Sequence, residues 1–417
     1  MLNITRSILD KIASECGHSF YLLDVERFCL NFSRLTAAFR NYYKKTTIAY
    51  SYKTNYIPRF CGLVSELGGY AEVVSDMECQ IARKVGVGHD KIFYNGPYKN
   101  PLAIEELLLG GGVVNADSLT DLNAIIETAT RFPNCKVRIG LRCNFDVQDG
   151  VMSRFGFDVE GEDYLKAKKL IADCSNVSLV GLHCHFAARN IGTWINRTKG
   201  MLQVIEDHMR TALSPLEYVS LGGGMYGDMP DVLRAQFNVP IPSFEEYAEV
   251  AAKPFADFFA KNPQWGEPEL LVEPGTALAA DAVKFVAQVI GIKDVRGKTI
   301  ATLAGSIYNI NPTPNRKNLP IMVVPSLSLT QERFVFDCVD FGGYTCIESD
   351  YLYKNYRGSL AVGDYVVFDD VGAYSVVMKP PFILPNFAVV EWDVEKDSPR
   401  IIKRREVFDD LFHTYAF

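Results

Sequence analysis

The feature that most constrains the fold is a regular alternation of short apolar runs with segments of helical spacing between residues 46 and 273. Apolar residues in the intervening segments recur at spacings of three and four, as in amphipathic helices. Strands that are separated by helices must pair in parallel through right-handed crossovers, and eight such units close a barrel. The eight runs, called candidate strands 1 to 8, are 46–52, 70–74, 91–94, 112–115, 136–142, 177–183, 216–221 and 269–273.

The candidate helices have the lengths expected of barrel helices, and two of them begin at residues that favour helix N-termini, Asp76 and Ser118. We expect a TIM barrel rather than an open doubly wound sheet, because no early glycine-rich dinucleotide loop follows a strand. The predicted helices are 58–67, 76–85, 102–109, 118–130, 164–173, 193–211 and 244–260.

The pattern changes after Gly275 to short stretches rich in Val, Ile and Phe, separated by turn residues. This pattern predicts a mainly antiparallel β domain, which the strand-like segment 19–23 could join. The predicted domains are therefore a barrel over 25–275 and a β domain made of 1–24 plus 276–417. Its candidate strands are 282–295, 299–310, 320–329, 333–341, 364–370, 374–378 and 387–394.

The composition is that of an ordinary globular protein, with 48% hydrophobic, 22% charged and 12% aromatic residues. The 43 basic and 50 acidic residues give a net charge of −7, which argues against a non-specific nucleic-acid binder. No apolar run reaches the roughly 18 residues of a membrane span, and the start lacks a secretory pattern, so we expect a cytoplasmic protein without a membrane partner. The ten cysteines form no Cys-x-x-Cys pair, so we expect neither a zinc site nor a disulfide framework.

Active sites of TIM barrels lie in the loops after the strands, and the loops after strands 7 and 8 often hold phosphate. Gly222, Gly223 and Gly224 follow candidate strand 7, where backbone N–H groups could approach an anion. Glu273 ends candidate strand 8. Lys53 directly follows candidate strand 1, where it is either a chain end reaching water or an amine kept in the barrel mouth as a Schiff-base nucleophile.

His183 ends candidate strand 6, and His185 lies two residues further along the chain. A zinc pair is one interpretation, and an aromatic ring placed against a flat cofactor is the better one. An amine, a phosphate cradle, a carboxylate and an imidazole at one barrel mouth are the groups that pyridoxal phosphate requires.

The sequence resembles the barrel-type pyridoxal phosphate decarboxylases that act on ornithine, diaminopimelate, arginine and carboxynorspermidine, and more distantly alanine racemase. The resemblance covers nearly the whole chain. It implies that Lys53 carries the cofactor, that His185 stacks on the pyridine ring, that Gly222 to Gly224 hold the phosphate, and that Glu273 pairs with the ring nitrogen. The matching barrel segments are 50–55, 72–75, 95–99, 154–156, 181–185 and 221–224.

Two segments of the β domain extend the resemblance. The segment 343–350 is similar to the family's glycine-proline-x-cysteine motif, which implies that Cys346 reaches the active site of a partner subunit and reprotonates the α-carbon. The resemblance thus implies a homodimer whose active sites are shared between the two subunits. The segment 372–374 resembles a glycine-alanine-tyrosine motif whose hydroxyl, here that of Tyr374, reaches the phosphate. Glu348 and Asp350 are candidates for binding the far end of the substrate.

The sequence also departs from this family. Ala188 replaces a serine, Thr276 replaces an arginine that contacts phosphate, and Ile347 replaces an acidic residue after the cysteine. Arg189 is a candidate substitute for the missing arginine. The resemblance therefore implies a decarboxylase that converts an amino acid, either a diamino acid or an amino-acid-derived intermediate, to an amine. The alternatives are a racemase or epimerase on the same cofactor, a non-catalytic regulatory relative, and a cofactor-free barrel hydrolase or aldolase.

Overall fold

The computed structural model describes residues 3–211, 215–313, 316–326 and 333–416. The chain forms two compact units. The barrel unit consists of Cys29–Tyr226 and Val239–Ala277, and the sheet unit of Met1–Phe28, Gly227–Asn238 and Leu278–Phe417. The sequence prediction divided the chain at residues 25 and 275 and left 227–238 in the barrel, whereas the structure groups that segment with the sheet unit.

Eight parallel strands form the closed barrel that the alternating pattern predicts. Each strand pairs with the next, and strand 8 pairs with strand 1 through Leu270 and Thr46, which closes the barrel. A short strand, Phe157–Asp158, pairs in parallel with strand 5. Barrel strands 1 to 8 are Thr46–Ser51, Tyr70–Val73, Ile92–Tyr94, Val113–Ala116, Val137–Asn144, Val177–His183, Tyr218–Ser220 and Glu269–Val272.

The predicted helices between the strands are all present, with ends that differ by at most two residues. One cap differs from the prediction: Ser75, rather than Asp76, is the N-cap, and its side chain accepts a hydrogen bond from the Glu78 N–H at 3.2 Å. The helix Val25–Tyr42 was not predicted. The others are Pro58–Glu66, Asp76–Lys84, Pro101–Leu109, Leu119–Arg131, Glu162–Ala172, Ile191–Thr211, Phe244–Lys261 and the short Thr276–Ala279.

Two glycines inside the barrel make room for an aromatic ring from strand 7. A Cβ on Gly181 would lie 2.0 Å from the Tyr218 ring, and one on Gly140 would lie 2.2 Å from the Tyr218 hydroxyl oxygen. The buried hydroxyl donates a hydrogen bond to the Asn115 side-chain oxygen at 2.5 Å. The small residues on strands 5 and 6 therefore allow a polar chain to begin in the barrel interior.

The sheet unit contains a nine-stranded sheet in which most neighbours are antiparallel, as predicted. Two pairs are parallel: Ser19–Leu23 with Ala388–Asp393, and Lys298–Leu303 with Phe334–Gly342. The N-terminal strand does join this sheet. The remaining strands are Val283–Val295, Ile321–Val324, Tyr351–Leu360, Tyr365–Phe368 and Ser398–Lys403. The helices of this unit are Arg6–Cys16, Asp231–Arg234, Ile307–Ile310, Ser375–Met378 and Phe408–Phe412.

Several features of the sheet unit differ from the sequence prediction. The predicted strand 299–310 ends at Leu303, and its last residues form the short helix Ile307–Ile310. The segment 374–378 was predicted as a strand but forms a short helix, which begins after Tyr374 in a left-handed conformation with φ of 64°. The strands Tyr351–Leu360 and Ser398–Lys403 were missed, because both are largely polar and lie at the ends of the sheet order. Residues 327–329 of one predicted strand lie outside the described residues.

The core of the sheet unit lies between the helix Arg6–Cys16 and the inner face of the sheet. Leu9 and Ile12 of the helix pack with Phe20, Val286 and Val390 of the strands, all fully buried. No helix in the described ranges is both long enough and apolar enough to cross a bilayer.

Candidate active site

A cavity of about 210 Å³ lies at the mouth of the barrel, where the carboxyl ends of the strands meet. Its lining comes from residues at or after the ends of strands 1, 2, 3, 5, 6 and 8, so side chains far apart in sequence face one space. The polar groups among them include Lys53, Glu72, Asn95, Arg142, His185 and Glu273.

Lys53 lies in this cavity rather than at the outer surface. It belongs to the single 3₁₀ turn Tyr52–Thr54 that follows strand 1. Its Nζ is 2.8 Å from Oε2 of Glu72, and its side chain is 33% exposed, while that of Glu72 is 1% exposed. The amine is thus held by a buried carboxylate and is still accessible from the cavity.

Glu72 is hydrogen-bonded through both carboxylate oxygens. Its Oε2 also accepts a hydrogen bond from Ser51 Oγ at 2.5 Å, and its Oε1 accepts one from Asn95 Nδ2 at 3.1 Å. A carboxylate with this many donors has a fixed orientation, so it positions the Lys53 amine.

Glu273 is a second buried carboxylate in the same network. Its Oε1 accepts hydrogen bonds from Ser220 Oγ at 2.7 Å and from Asn95 Nδ2 at 3.1 Å, and His183 Nε2 lies 3.2 Å from it. Burial acts to raise the pKa of Glu273, but His183 and then Lys53 outweigh it, so the pKa falls below its usual range. Glu273 therefore stays ionised.

A chain of side chains fixes the amide that joins the two carboxylates. The Asn115 amide accepts from Tyr218 and donates through Nδ2 to Asn95 Oδ1 at 2.7 Å. The oxygen of the Asn95 amide is therefore occupied, and its NH₂ group faces Glu72 and Glu273. The NH₂ group of Asn95 therefore donates a hydrogen bond to each of the two carboxylates.

His183 and His185 both line the cavity. Strand 6 ends at His183, and side chains two residues apart on an extended segment face the same side. The Nδ1 of His185 accepts a hydrogen bond from the Gly223 N–H at 3.0 Å. Burial, followed by the charge of Lys53, lowers the pKa of His185 well below its usual value, so its ring is neutral. Within the described ranges, no group of three or more metal-binding side chains occurs.

The glycine loop after strand 7 leaves no room for a side chain at Gly222 and Gly223. Gly222 and Gly224 have positive φ angles of 71° and 87°. A Cβ on Gly222 would lie 2.4 Å from the Cys184 carbonyl oxygen, and one on Gly223 would lie 2.2 Å from the Glu273 carbonyl oxygen. The loop is therefore bare backbone, as an anion cradle requires.

Replacement of Gly223 by Ala is expected to lower the free energy of unfolding by about 1–3 kcal/mol, because the new methyl group would overlap the Glu273 backbone. It is also expected to weaken binding of pyridoxal phosphate, the cofactor that the resemblance implies. Chemical denaturation and cofactor titration would measure both. Gly62→Ala is the control, since no atom lies within 4 Å of its Cβ position in the helix Pro58–Glu66. A Gly223→Ala protein as stable as Gly62→Ala would contradict the packing argument.

Arg189 lies beside Thr276, the residue that stands where the decarboxylases of the resemblance have an arginine. Its Nη2 donates a hydrogen bond to Thr276 Oγ1 at 3.2 Å. The Tyr247 hydroxyl donates to the Arg189 carbonyl oxygen at 2.6 Å, which fixes the backbone there. The loop after strand 6 thus brings a guanidinium to the start of the loop after strand 8.

The sheet unit contains the other four predicted site residues. Cys346 and Glu348 are exposed, and Tyr374 is half-buried. Asp350 is buried, and its carboxylate accepts hydrogen bonds from Ser306 Oγ at 3.0 Å, the Ile307 N–H at 2.8 Å and Thr345 Oγ1 at 2.6 Å. These contacts hold the loop that carries Cys346, which argues against the predicted substrate contact for Asp350.

Sequence reasoning assigned no role to several polar groups of the site. Glu72, Arg142 and Ser220 each lie among the last three residues of a candidate strand, and Asn95 follows one directly. Position at the end of a candidate strand, which identified Lys53, also identifies these four residues. That position alone does not distinguish them from the other polar residues at strand ends.

The residues of the barrel unit fit pyridoxal phosphate. A lysine amine, an ionised buried carboxylate and a neutral imidazole face one cavity, and a side-chain-free loop adjoins them. These groups match the aldehyde, ring nitrogen, ring face and phosphate of that cofactor.

Comparisons with known proteins agree with this fit. Residues 30–280 match the family model described as pyridoxal-dependent decarboxylase, pyridoxal binding domain. The chain therefore belongs to the pyridoxal-dependent decarboxylases. Its cofactor is pyridoxal phosphate, and its reaction is the decarboxylation of an amino acid.

Diaminopimelate decarboxylases are among its relatives. That of Methanocaldococcus jannaschii is 27% identical over 96% of this chain and 92% of its own length. A probable chloroplastic diaminopimelate decarboxylase of Oryza sativa is 28% identical over 94% of this chain and 78% of its own. The solved structure of the Methanocaldococcus enzyme covers 97% of this chain and 94% of its own with a TM-score of 0.84 at 24% identity, a likeness of fold. A lysine/ornithine decarboxylase of Vibrio vulnificus, solved with putrescine, covers 92% of this chain and 97% of its own with a TM-score of 0.73 at 20% identity.

Proposed function

We propose that this protein removes the α-carboxylate of a diamino acid, or of an intermediate derived from one, and releases the corresponding amine. The observation that carries the proposal is the cavity that Lys53 and Glu273 share, with Glu72 and Asn95 between them. A racemase would require a base on each face of the α-carbon and a ring nitrogen without an ionised partner. The ionised Glu273 favours decarboxylation instead.

The roles of the barrel residues follow from their contacts. Lys53 would hold the cofactor covalently, with Glu72 orienting its amine. Glu273 would keep a proton on the ring nitrogen, because an adjacent negative charge raises the pKa of that nitrogen. His185, whose pKa is lowered by burial and by the charge of Lys53 and whose Nδ1 accepts a hydrogen bond from the Gly223 N–H, would pack against the ring. When bound, pyridoxal phosphate supplies an electron sink for the pair left behind as carbon dioxide departs.

The phosphate would lie on the glycine loop of residues 222–224, with Arg189 as its direct charge partner. Arg189 contributes the guanidinium that Thr276 lacks, and their contact places it between the loops after strands 6 and 8. Tyr374 of the sheet unit is proposed to add a hydroxyl to the same phosphate. Guanidinium groups suit this role because they bind phosphate through several N–H donors.

Substrate selection is proposed to involve Glu348, the exposed acidic residue nearest in sequence to Cys346. An ammonium group at the far end of the substrate would be its partner. Ile347 and the buried Asp350 offer no accessible charge, so we infer that the substrate differs from diaminopimelate at its far end. The cytoplasm is the compartment that we propose for this reaction.

A carbon dioxide release assay would test the proposed function. The panel is ornithine, lysine, arginine, meso-diaminopimelate and N-acylated diamino acids, each with the purified protein and added pyridoxal phosphate. We expect release to be fastest from a substrate that ends in a free amine, and Glu348→Gln to raise its KM. Loss of optical activity without carbon dioxide would support a racemase, and neither reaction with any substrate would refute the proposal.

Cys346 is proposed to return the proton to the α-carbon from a partner subunit of a homodimer. Cys346→Ala is therefore expected to lower kcat by roughly 100-fold or more while cofactor absorbance is unchanged. Cys338→Ser is the matched control, because Cys338 is also an exposed cysteine of the sheet unit. Sedimentation across a dilution series would test the dimer. Full activity of Cys346→Ala would contradict this assignment.

A further inference from the structure

Arg197 is a fully buried arginine directly beside the glycine loop. It lies on the helix Ile191–Thr211, and its guanidinium donates hydrogen bonds to carbonyl oxygens of two loops. Nη1 contacts Leu221 O at 3.0 Å and Gly223 O at 2.6 Å, and Nη2 contacts Phe186 O at 2.7 Å and Ala188 O at 3.4 Å. One side chain thus joins the loops that follow strands 6 and 7.

The Arg197 guanidinium has no direct ion-pair partner among the described residues. Its Nε also has no hydrogen-bond partner among them, and the carboxylates of Glu273 and Asp149 act on its charge only from a longer distance. Burial lowers the pKa of Arg197 to about 10, so it remains protonated at neutral pH. A buried charge without a direct ion-pair partner is stabilised by an anion placed near it.

The hydrogen bonds from Arg197 also determine which way the loop amides point. In a trans peptide, the carbonyl of one residue and the N–H of the next point in opposite directions. Arg197 draws the Gly223 carbonyl towards the helix, and Trp194 Nε1 draws the Gly224 carbonyl the same way at 3.0 Å. The N–H groups of Gly224 and Met225 therefore point away from the helix. Successive N–H groups of this kind form an anion site.

We propose that Arg197 is a positioning residue for the cofactor phosphate: it holds the glycine loop with its amides directed at the phosphate, and the phosphate adds a negative charge near its guanidinium. The inference rests on the proposed function and deepens its account of cofactor binding. It assigns a role to a residue that makes no direct contact with the cofactor. Arg189 binds the phosphate directly, whereas Arg197 acts through the loop.

Comparing pyridoxal phosphate with pyridoxal, which lacks the phosphate, separates this role from a general structural one. For Arg197→Met we expect the Kd for pyridoxal phosphate to rise roughly 10- to 100-fold, as for loss of hydrogen bonds to a charged group. The Kd for pyridoxal should change less than about threefold, because Lys53 and Glu273 are unchanged. Titration of the apoprotein, followed by absorbance, measures both constants without any substrate turnover.

Arg210→Met on the same helix is the matched control, since Arg210 is exposed and pairs with Glu206 on the helix surface. Both of its Kd values should equal those of the wild type. Should Arg197→Met fail to fold, Arg197→Lys decides, because lysine keeps the charge but lacks the planar fork that contacts several carbonyls. Its Kd for pyridoxal phosphate should rise at least about threefold, with that for pyridoxal unchanged.

Equal losses for both ligands, or an unchanged Kd for pyridoxal phosphate in both variants, would overturn the proposal. The proposed function can be refuted by a different result, independently of the role of Arg197. A wild-type protein that binds pyridoxal phosphate but releases no carbon dioxide would refute the decarboxylation of a diamino acid and leave the role of Arg197 intact.

Discussion

Replacement of Lys53 by Ala is expected to lower kcat by at least roughly 1,000-fold, the scale of loss seen when a covalent catalytic group is removed. The Lys53 amine is oriented by Glu72 and accessible from the cavity, as covalent attachment of an aldehyde requires. The variant should also lack the visible absorbance of attached cofactor. Pyridoxal phosphate could then bind only through its ring and phosphate contacts.

Lys99, a buried lysine of the barrel unit, cannot take over this role. Its Nζ is held by Asp121 at 2.6 Å and by the Gly96 carbonyl oxygen at 2.6 Å. It does not line the cavity. Lys99 would therefore not restore covalent binding in Lys53→Ala.

Borohydride reduction followed by peptide mass spectrometry would identify the attached lysine. We expect the label on the peptide containing Lys53 in the wild type and none in Lys53→Ala. Lys84→Ala, at the exposed end of the helix Asp76–Lys84, is the control and should keep wild-type activity and label. Label on any other lysine, or substantial activity in Lys53→Ala, would refute covalent binding at this position.

Replacement of Glu273 by Gln is expected to lower kcat by roughly 100- to 1,000-fold with little change in cofactor affinity. Glutamine has the same shape, so the cavity is preserved, but it carries no charge to hold a proton on the ring nitrogen. In the variant, the NH₂ group of the glutamine would also face the Ser220 hydroxyl and the Asn95 NH₂ group. In the wild type these two donors contact a carboxylate oxygen of Glu273. The electron sink is therefore weakened while the binding site keeps its shape.

The stability of this variant should depend on pH in a defined direction. The folded pKa of Glu273 lies below its usual value, so the ionised group stabilises the native state above the unfolded pKa of about 4.3. This contribution is lost as the pH falls through the folded pKa. The difference in unfolding free energy between wild type and Glu273→Gln should therefore be largest near neutral pH and shrink in acid.

Glu269→Gln is the matched control for Glu273→Gln. Glu269 lies on the same strand at the opposite end of the barrel, where it accepts hydrogen bonds from Thr47 and Tyr70. Because active-site groups gather at the carboxyl ends of barrel strands, its loss should affect stability and leave kcat unchanged. A kcat for Glu273→Gln close to that of Glu269→Gln would contradict the role proposed for Glu273.

The strand order and the location of the site followed from local pattern. Candidate strands ended within about one residue of the observed ends in most cases, because a buried parallel strand is a short apolar run that polar turn residues terminate. The positions of Lys53, His185 and Glu273 at the barrel mouth could therefore be predicted without any contact being known. Edge strands such as Tyr351–Leu360 were missed, because their polar residues dilute the apolar signal.

The partners of those residues could not be predicted in the same way. The contact of Asn95 with Glu273 joins positions 178 residues apart, and that of Arg197 with Leu221 joins a helix to a loop. Asn95 and Arg197 are each one of many asparagines or arginines in the sequence. Nothing in the local sequence distinguishes a buried arginine that caps loop carbonyls from an exposed one on the same helix.

The alternating architecture, the chemical groups at the strand ends and the glycines that leave a loop without side chains could be predicted from the amino-acid sequence. These features depend on periodicity and on backbone freedom, which are local properties. The folded structure was needed to show that Glu72 orients the amine of Lys53, that Asn95 joins two carboxylates, and that Arg197 lies buried beside the glycine loop. Closure of the barrel creates those contacts, because it brings distant strand ends within hydrogen-bond distance and removes the water that would otherwise compete for them.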